Sequence, residues 1–151
     1  MNNAHATVPV PENEPTLSYA PGSEERQAVK EALRDLRADT VEIPAFIGGE
    51  AVTTGETSRI SPPHDHRHTL GTVHQCGRSE TESAVEAAMG AKSDWAAMDF
   101  DDRAAIFLKA ADLLADKYRP LINAATMLGQ GKNVHQAEID AACELIDFLR
   151  F

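Results

Sequence analysis

Apolar residues along this chain change period several times, and each change marks an element. Val29, Ala32, Leu33 and Leu36 share one face at helical spacing, which predicts a helix over about residues 24–38. Pro21-Gly22 signals a turn before it, and Ser23 stands where a cap is needed. Residues 41–53 read as strand. Ala45-Phe46-Ile47 and Ala51-Val52 flank Gly48-Gly49-Glu50, and the glycine pair permits the positive φ angles of a tight hairpin. Residues 54–78 read as loop and short strands, with Pro62-Pro63 as a breaker and Thr69–Gln75 as the best strand candidate. From residue 79 helical spacing returns. Ser79 and Glu82 form a Ser-x-x-Glu capping pattern, and the helix behind them is predicted to bury Val85, Ala88, Met89 and Trp95.

The next helix opens near Asp99–Asp102, whose acids suit the positive end of the helix dipole, and aligns Phe107, Ala110, Ala111, Leu114 and Tyr118. Pro120 fits a first helical turn, so a short helix over about 120–128 is expected, ended by Gly129. Asn133 and Gln136 resemble a capping pair for a final helix that keeps its period through Glu138, Asp140, Glu144 and Asp147. That helix shows no capping Gly or Asn before Phe151, which leads us to expect the front end of a longer protein. Residues 1–22 carry Pro, Asn and Glu without periodicity and are expected as an extended arm. The segment is therefore α+β: an arm, one helix, a β-hairpin and short strands, then about four helices.

Composition narrows the function classes. The net charge of −10 argues against a nucleic-acid partner, because phosphate binding needs clustered Lys and Arg. The acids are spread over several helices, as on a solvated surface rather than in an interaction tail. Cys76 and Cys143 form neither a disulfide framework nor a zinc pattern, which suits a reducing compartment. No apolar run approaches the ~18–20 residues of a membrane span. The first basic residue is Arg26, with Glu12 and Glu14 before it, unlike a secretory or mitochondrial leader. A cytoplasmic protein is expected.

Few residues suggest chemistry by themselves. Glu144 lies on the last helix one turn from Asp140 and Phe148, and by pattern alone is a solvated carboxylate. Glu138 is expected about 120° around the same helix, at ~3.6 residues per turn, as a carboxylate whose loss changes little. Cys143 sits deep in an acidic helix, away from any activating base or cation, so a small core residue is expected and not a nucleophile. The run His64-Asp65-His66-Arg67-His68 could aim three imidazoles at a metal only from a strand. Following Pro62-Pro63 it reads as an exposed turn. Gly129-Gln130-Gly131-Lys132 fails as a phosphate loop: Thr126 and Asn133 stand where Gly and Ser or Thr are required, and no strand precedes it. It reads as a helix-to-helix turn with Lys132 exposed.

Gly129-Gln130-Gly131-Lys132, Gln136 through Ala142, Glu144-Leu145-Ile146-Asp147-Phe148 and Arg150-Phe151 together resemble a helix of the 1-pyrroline-5-carboxylate dehydrogenases, within the aldehyde dehydrogenase superfamily. The resemblance runs upstream through Asp102–Asp112, the hairpin Phe46-Ile47-Gly48-Gly49-Glu50, Gly22-Ser23-Glu24-Glu25-Arg26 and Asn13-Glu14-Pro15. It implies an α/β parent. Residues 1–22 would be an arm on it, and 23–151 the first part of an aldehyde dehydrogenase domain truncated within its last helix. It further implies oxidation of the small molecule L-glutamate 5-semialdehyde to L-glutamate with NAD in proline breakdown, by a homo-oligomeric parent. Whether that parent is a single enzyme or part of a fused proline-oxidising protein stays open. In the family the catalytic cysteine, the general base and the nucleotide segment lie further along. No catalytic, cofactor-binding or metal residue is therefore assigned here, and the segment alone is expected to be inactive. One site residue carries over: Glu144 would line the aldehyde pocket and position substrate through hydrogen bonds. Arg103 matches a residue whose family role is structural pairing. The alternative of another class is a non-catalytic helical scaffold or interaction module.

Overall fold

The computed structural model describes residues 7–151; the first six residues of the expected arm lie outside the described residues. Two compact units divide the chain. One holds the described residues up to Arg34 together with Met98–Phe151; the other is Asp35–Ala97.

The smaller unit carries the strands. β1 (Val41–Ile43) pairs parallel with β5 (Gly71–His74), and β5 pairs antiparallel with β4 (Thr57–Ile60), giving the order β1-β5-β4. β2 (Ala45–Ile47) and β3 (Glu50–Val52) form a separate hairpin. Its turn places Gly48 at φ 61° and Gly49 at φ 89°, the left-handed pair that the sequence led us to expect. His74 is buried in β5. Its Nε2 lies 2.8 Å from Glu42 Oε1, and its Nδ1 accepts from the Thr54 amide at 2.9 Å.

α2 (Arg78–Ala97) begins one residue before the expected box, and that box does not form. Glu80 instead reaches back to accept from the Gly77 amide at 2.7 Å, and the Thr81 hydroxyl donates to the Gly77 carbonyl. The expected burial is also absent: α2 buries none of its residues, and Val85 and Met89 are 58% and 60% exposed. The apolar residues of α2 are spread around the helix more than the spacing suggested, so they define no strongly one-sided face.

The other unit packs helices. α1 (Glu24–Ala38) matches its expected span, and Ser23 Oγ accepts from the Arg26 amide. α3 (Phe100–Ala115) is fixed through Ala111, which forms a core with Ala142 and Ile146, edged by Leu114, Ala115, Ile122 and Leu149. Phe107 and Tyr118, expected on that stripe, are exposed. α4 (Arg119–Gln130) runs one residue past Gly129 and is capped by Gly131, φ 69°. Gly131 takes the left-handed cap, so the glycine two positions earlier is spent inside the helix.

The last helix starts as expected. Asn133 Oδ1 accepts from the Gln136 amide, and Gln136 Oε1 accepts from the Asn133 amide, both at 3.0 Å. It is not one regular helix. α5 (Val134–Ala137) leads into a π turn over Glu138–Cys143, where hydrogen bonds reach back five residues, and then into α6 (Glu144–Arg150). No helix of the described residues is long and apolar enough to cross a membrane.

Candidate functional site

The π turn is where the chemistry gathers. Glu138, expected as a carboxylate whose loss changes little, is fully buried. Its Oε1 accepts from the Leu17 amide at 2.7 Å and from Arg119 Nη2 at 2.5 Å. Its Oε2 accepts from the Tyr19 hydroxyl at 2.7 Å, Asn123 Nδ2 at 2.8 Å and Arg119 Nε at 3.3 Å. A buried carboxylate is tolerable only with such partners. They come from α4 and from the arm, so the helical period alone could not show them.

Arg119 is the hub. It is buried at the first position of α4, where the helix dipole disfavours a cation. Glu138 meets its guanidinium on one edge and Glu14 meets Nη1 on another, while Nη2 also donates to the Pro15 carbonyl at 2.7 Å. Glu14 in turn accepts from Arg150 Nη1 at 2.7 Å. Carboxylates and guanidiniums therefore alternate along Glu138–Arg119–Glu14–Arg150, and the charges of the set cancel. Asp147 extends it, accepting from the Glu14 amide at 2.6 Å and from Asn13 Nδ2 at 2.8 Å.

Ionisation follows from these contacts. Burial pushes the Glu138 carboxyl upward, but its bonds from Arg119, Leu17, Tyr19 and Asn123 outweigh that and hold it below its ordinary value. Burial, reinforced by Glu138, pushes the Tyr19 phenol up, so it stays a donor. Burial opposes the charge on Arg119, yet the two carboxylates raise its pKa overall. Cys143 is buried and its thiol is pushed up by burial and then by Glu138, which suits a core residue and not a nucleophile.

The arm over these helices is thus a strap tied by side chains. At Tyr19 its backbone takes φ 51°, a left-handed conformation that a bulky aromatic adopts only when its surroundings hold it there. Both Glu138 oxygens are engaged by the strap and α4, so that carboxylate is held as a structural group.

Glu144 is different. It opens α6, is exposed, and its side chain has no hydrogen-bond or ion-pair partner among the described residues. Within the π turn the Glu144 amide bonds back to Ile139, while Asp140 pairs at 2.7 Å with Lys132, which is half-buried rather than exposed. Leu145 and Phe148 flank Glu144 on the same open surface, Phe148 at 77% exposure. Among the described residues no three metal-ligating side chains gather, the run from His64 to His68 included. Gly129 and Gln130 close α4, Gly131 caps it and Lys132 is engaged by Asp140, so the run does not fit a dinucleotide phosphate.

The model for the aldehyde dehydrogenase family matches residues 51–151. The chain belongs to the aldehyde dehydrogenase family. Within it, the chain is similar to the mitochondrial delta-1-pyrroline-5-carboxylate dehydrogenase of Dictyostelium discoideum, 48% identical over 98% of this chain and 26% of that protein. The enzyme of that name from Agaricus bisporus is 50% identical over 95% of this chain and 27% of its own length. The solved delta-pyrroline-5-carboxylate dehydrogenase of Mycobacterium tuberculosis, described as bound with NAD and cobalamin, superposes with a TM-score of 0.95. It is 52% identical, over 100% of this chain and 29% of that one. The chain thus spans about a quarter of the curated relatives it matches. The aldehyde dehydrogenase fold expected from the sequence is borne out, with mixed helices and strands as anticipated. The cytoplasmic expectation is corrected: the Dictyostelium relative and several animal ones are named mitochondrial, so the acidic composition of this stretch does not specify a compartment.

Proposed function

We propose that this chain is the amino-terminal portion of an NAD-dependent dehydrogenase that oxidises L-glutamate 5-semialdehyde to L-glutamate in proline breakdown. The observation that carries the proposal is whole-chain likeness: similarity to delta-1-pyrroline-5-carboxylate dehydrogenases covers 98% of these residues in sequence and 100% in structure. In that reaction aldehyde, water and NAD+ become acid, NADH and protons. NAD accepts the hydride, and its inferred site lies in parts of the parent beyond these residues, because nothing described here fits it.

Glu144 is this chain's own share of the chemistry. The substrate carries an ammonium and a carboxylate, and a carboxylate side chain can complement only the ammonium. An exposed Glu144 beside Leu145 and Phe148 offers an anionic acceptor on an apolar surface, which suits a small zwitterion better than bulk solvent does. Its role is positioning, not nucleophilic attack.

The test uses the complete reading frame that carries this chain. The full-length protein should form NADH from glutamate semialdehyde, and the 151-residue chain alone should form none. Glu144→Ala should lower kcat/KM about tenfold to a hundredfold, or ~1.4–2.7 kcal/mol of transition-state stabilisation, with NAD+ affinity unchanged. A full-length protein inert toward the semialdehyde refutes the activity. A Glu144→Ala variant that only melts earlier refutes the residue's role.

A further inference from the structure

We propose that Arg119 and Glu138 are positioning residues for Glu144: by holding the π turn of residues 138–143 open, they fix the direction in which α6 presents that carboxylate. The catalytic consequence rests on the reading of Glu144 given above. The conformational consequence stands by itself.

In an α-helix, residues five apart point about 140° apart, at ~100° per residue. Here Glu138 and Cys143 point the same way. Arg119 Nη2 touches both, Glu138 Oε1 at 2.5 Å and Cys143 Sγ at 3.5 Å, and Cys143 Sγ lies 3.8 Å from Glu138 Oε1. One guanidinium thus grips both ends of the π turn.

The hydrophobic pattern does not choose this arrangement. The observed core takes Ala142, Ile146 and Leu149 from this helix. If the turn closed to ordinary α-helical bonding, the residues after it would rotate by about one position, ~100°. Ala141, Leu145 and Phe148 would then occupy those places, and each is again apolar. Apolar burial is therefore nearly indifferent between the two, and side-chain polar bonds decide. Glu138, through Leu17, Tyr19, Arg119 and Asn123, anchors the upstream end, while Asp147 and Arg150 hold the downstream end to Asn13 and Glu14. A buried polar contact that selects one of two equivalent packings is the best-attested use of such groups. Glu144 immediately follows the turn, so any slip there turns its carboxylate away.

Removing one partner alone would strand a buried charge and could unfold the protein. The double variant Arg119→Met with Glu138→Leu avoids this, since apolar residues of similar volume commonly replace a buried ion pair without loss of fold. In the full-length protein its crystal structure should show continuous α-helical bonding from residue 134, with Leu145 in the core place of Ile146. Its kcat/KM for glutamate semialdehyde should fall about as far as that of Glu144→Ala, and adding Glu144→Ala should cost little more, because the two losses share one cause. NAD+ affinity should not move. A π turn retained without the clamp overturns the inference, and so does a fully additive loss with Glu144→Ala. A slipped helix together with a silent Glu144→Ala supports the clamp and refutes the substrate role of Glu144 instead.

Discussion

A carboxylate on an acidic helix carries no mark of burial in its own neighbourhood, and Glu138 shows why. Its nitrogen and hydroxyl donors lie between 15 and 121 residues away, on α4 and on the strap. Cys143 was legible as a core residue, although its burial and its Arg119 neighbour come from α4 and the strap and not from its own helix. Arg119 offered a partial signal, a cation just before Pro120 at the unfavourable end of a helix dipole, which asks for nearby carboxylates. The energetic contrast between the two glutamates is testable in the full-length protein. Glu138→Ala should cost ~3–5 kcal/mol, because it leaves Arg119 buried with one carboxylate fewer. Glu144→Ala should stay within about 0.5 kcal/mol. Chemical denaturation of both variants checks this, and equal midpoints would contradict the burial of Glu138.

Asp147 supplies the pH dependence. Its pKa is lowered from 3.8, first by Asn13 and then by the Glu14 amide. A lowered folded-state pKa means stability that is present above the ordinary value and lost as pH falls through the lowered one. The Tm gap between wild type and Asp147→Asn should therefore be full at neutral pH and close as pH drops below about 4. A gap that stays constant over the acid range would show that Asp147 does not tie the strap.

Elements were legible where their determinants are close in sequence. The Asn133–Gln136 box, the Gly48-Gly49 turn and the span of α1 each depend on residues within one or two turns. The π turn was not legible, because its two possible alignments bury equally apolar sets and a remote arginine chooses between them. The sheet shows a similar dependence on a distant partner at Gly71, opposite Val41 in the parallel pair. A Cβ there would sit 2.5 Å from the Val41 carbonyl oxygen, which is backbone and cannot swing aside. Gly71→Ala should cost ~1–3 kcal/mol through overpacking. Gly55→Ala, whose Cβ would meet nothing within 4 Å, should change little. Thermal melting of the two variants in the full-length protein separates them, and indistinguishable melts would argue against β1 pairing with β5.

At the scale of the whole molecule, the amphipathic stripes describe a larger body than these residues make. The pattern marked Val85, Met89 and Trp95 for burial, and all three are exposed, as are Phe107, Phe148 and Phe151. Spacing alone marked them, but α2 is only weakly one-sided, and a stripe does not say which residues will cover it. Relatives are about four times as long as this chain, which covers 26% of the Dictyostelium protein, so ample chain exists to do so in a full-length protein. Each large side chain left in water forgoes ~1.5–3 kcal/mol, against a net domain stability of only ~5–15 kcal/mol. The Ala111–Ala142–Ile146 core and the strap are small by comparison. The isolated 151-residue chain should therefore be helical by circular dichroism yet loosely packed, or associated through the exposed face of α6. Dilution should separate these two outcomes, since association weakens with concentration and loose packing does not. A sharp cooperative melt of a dilute monomer, with well-dispersed amide signals, would show that this stretch stabilises itself and that its exposed stripes need no cover.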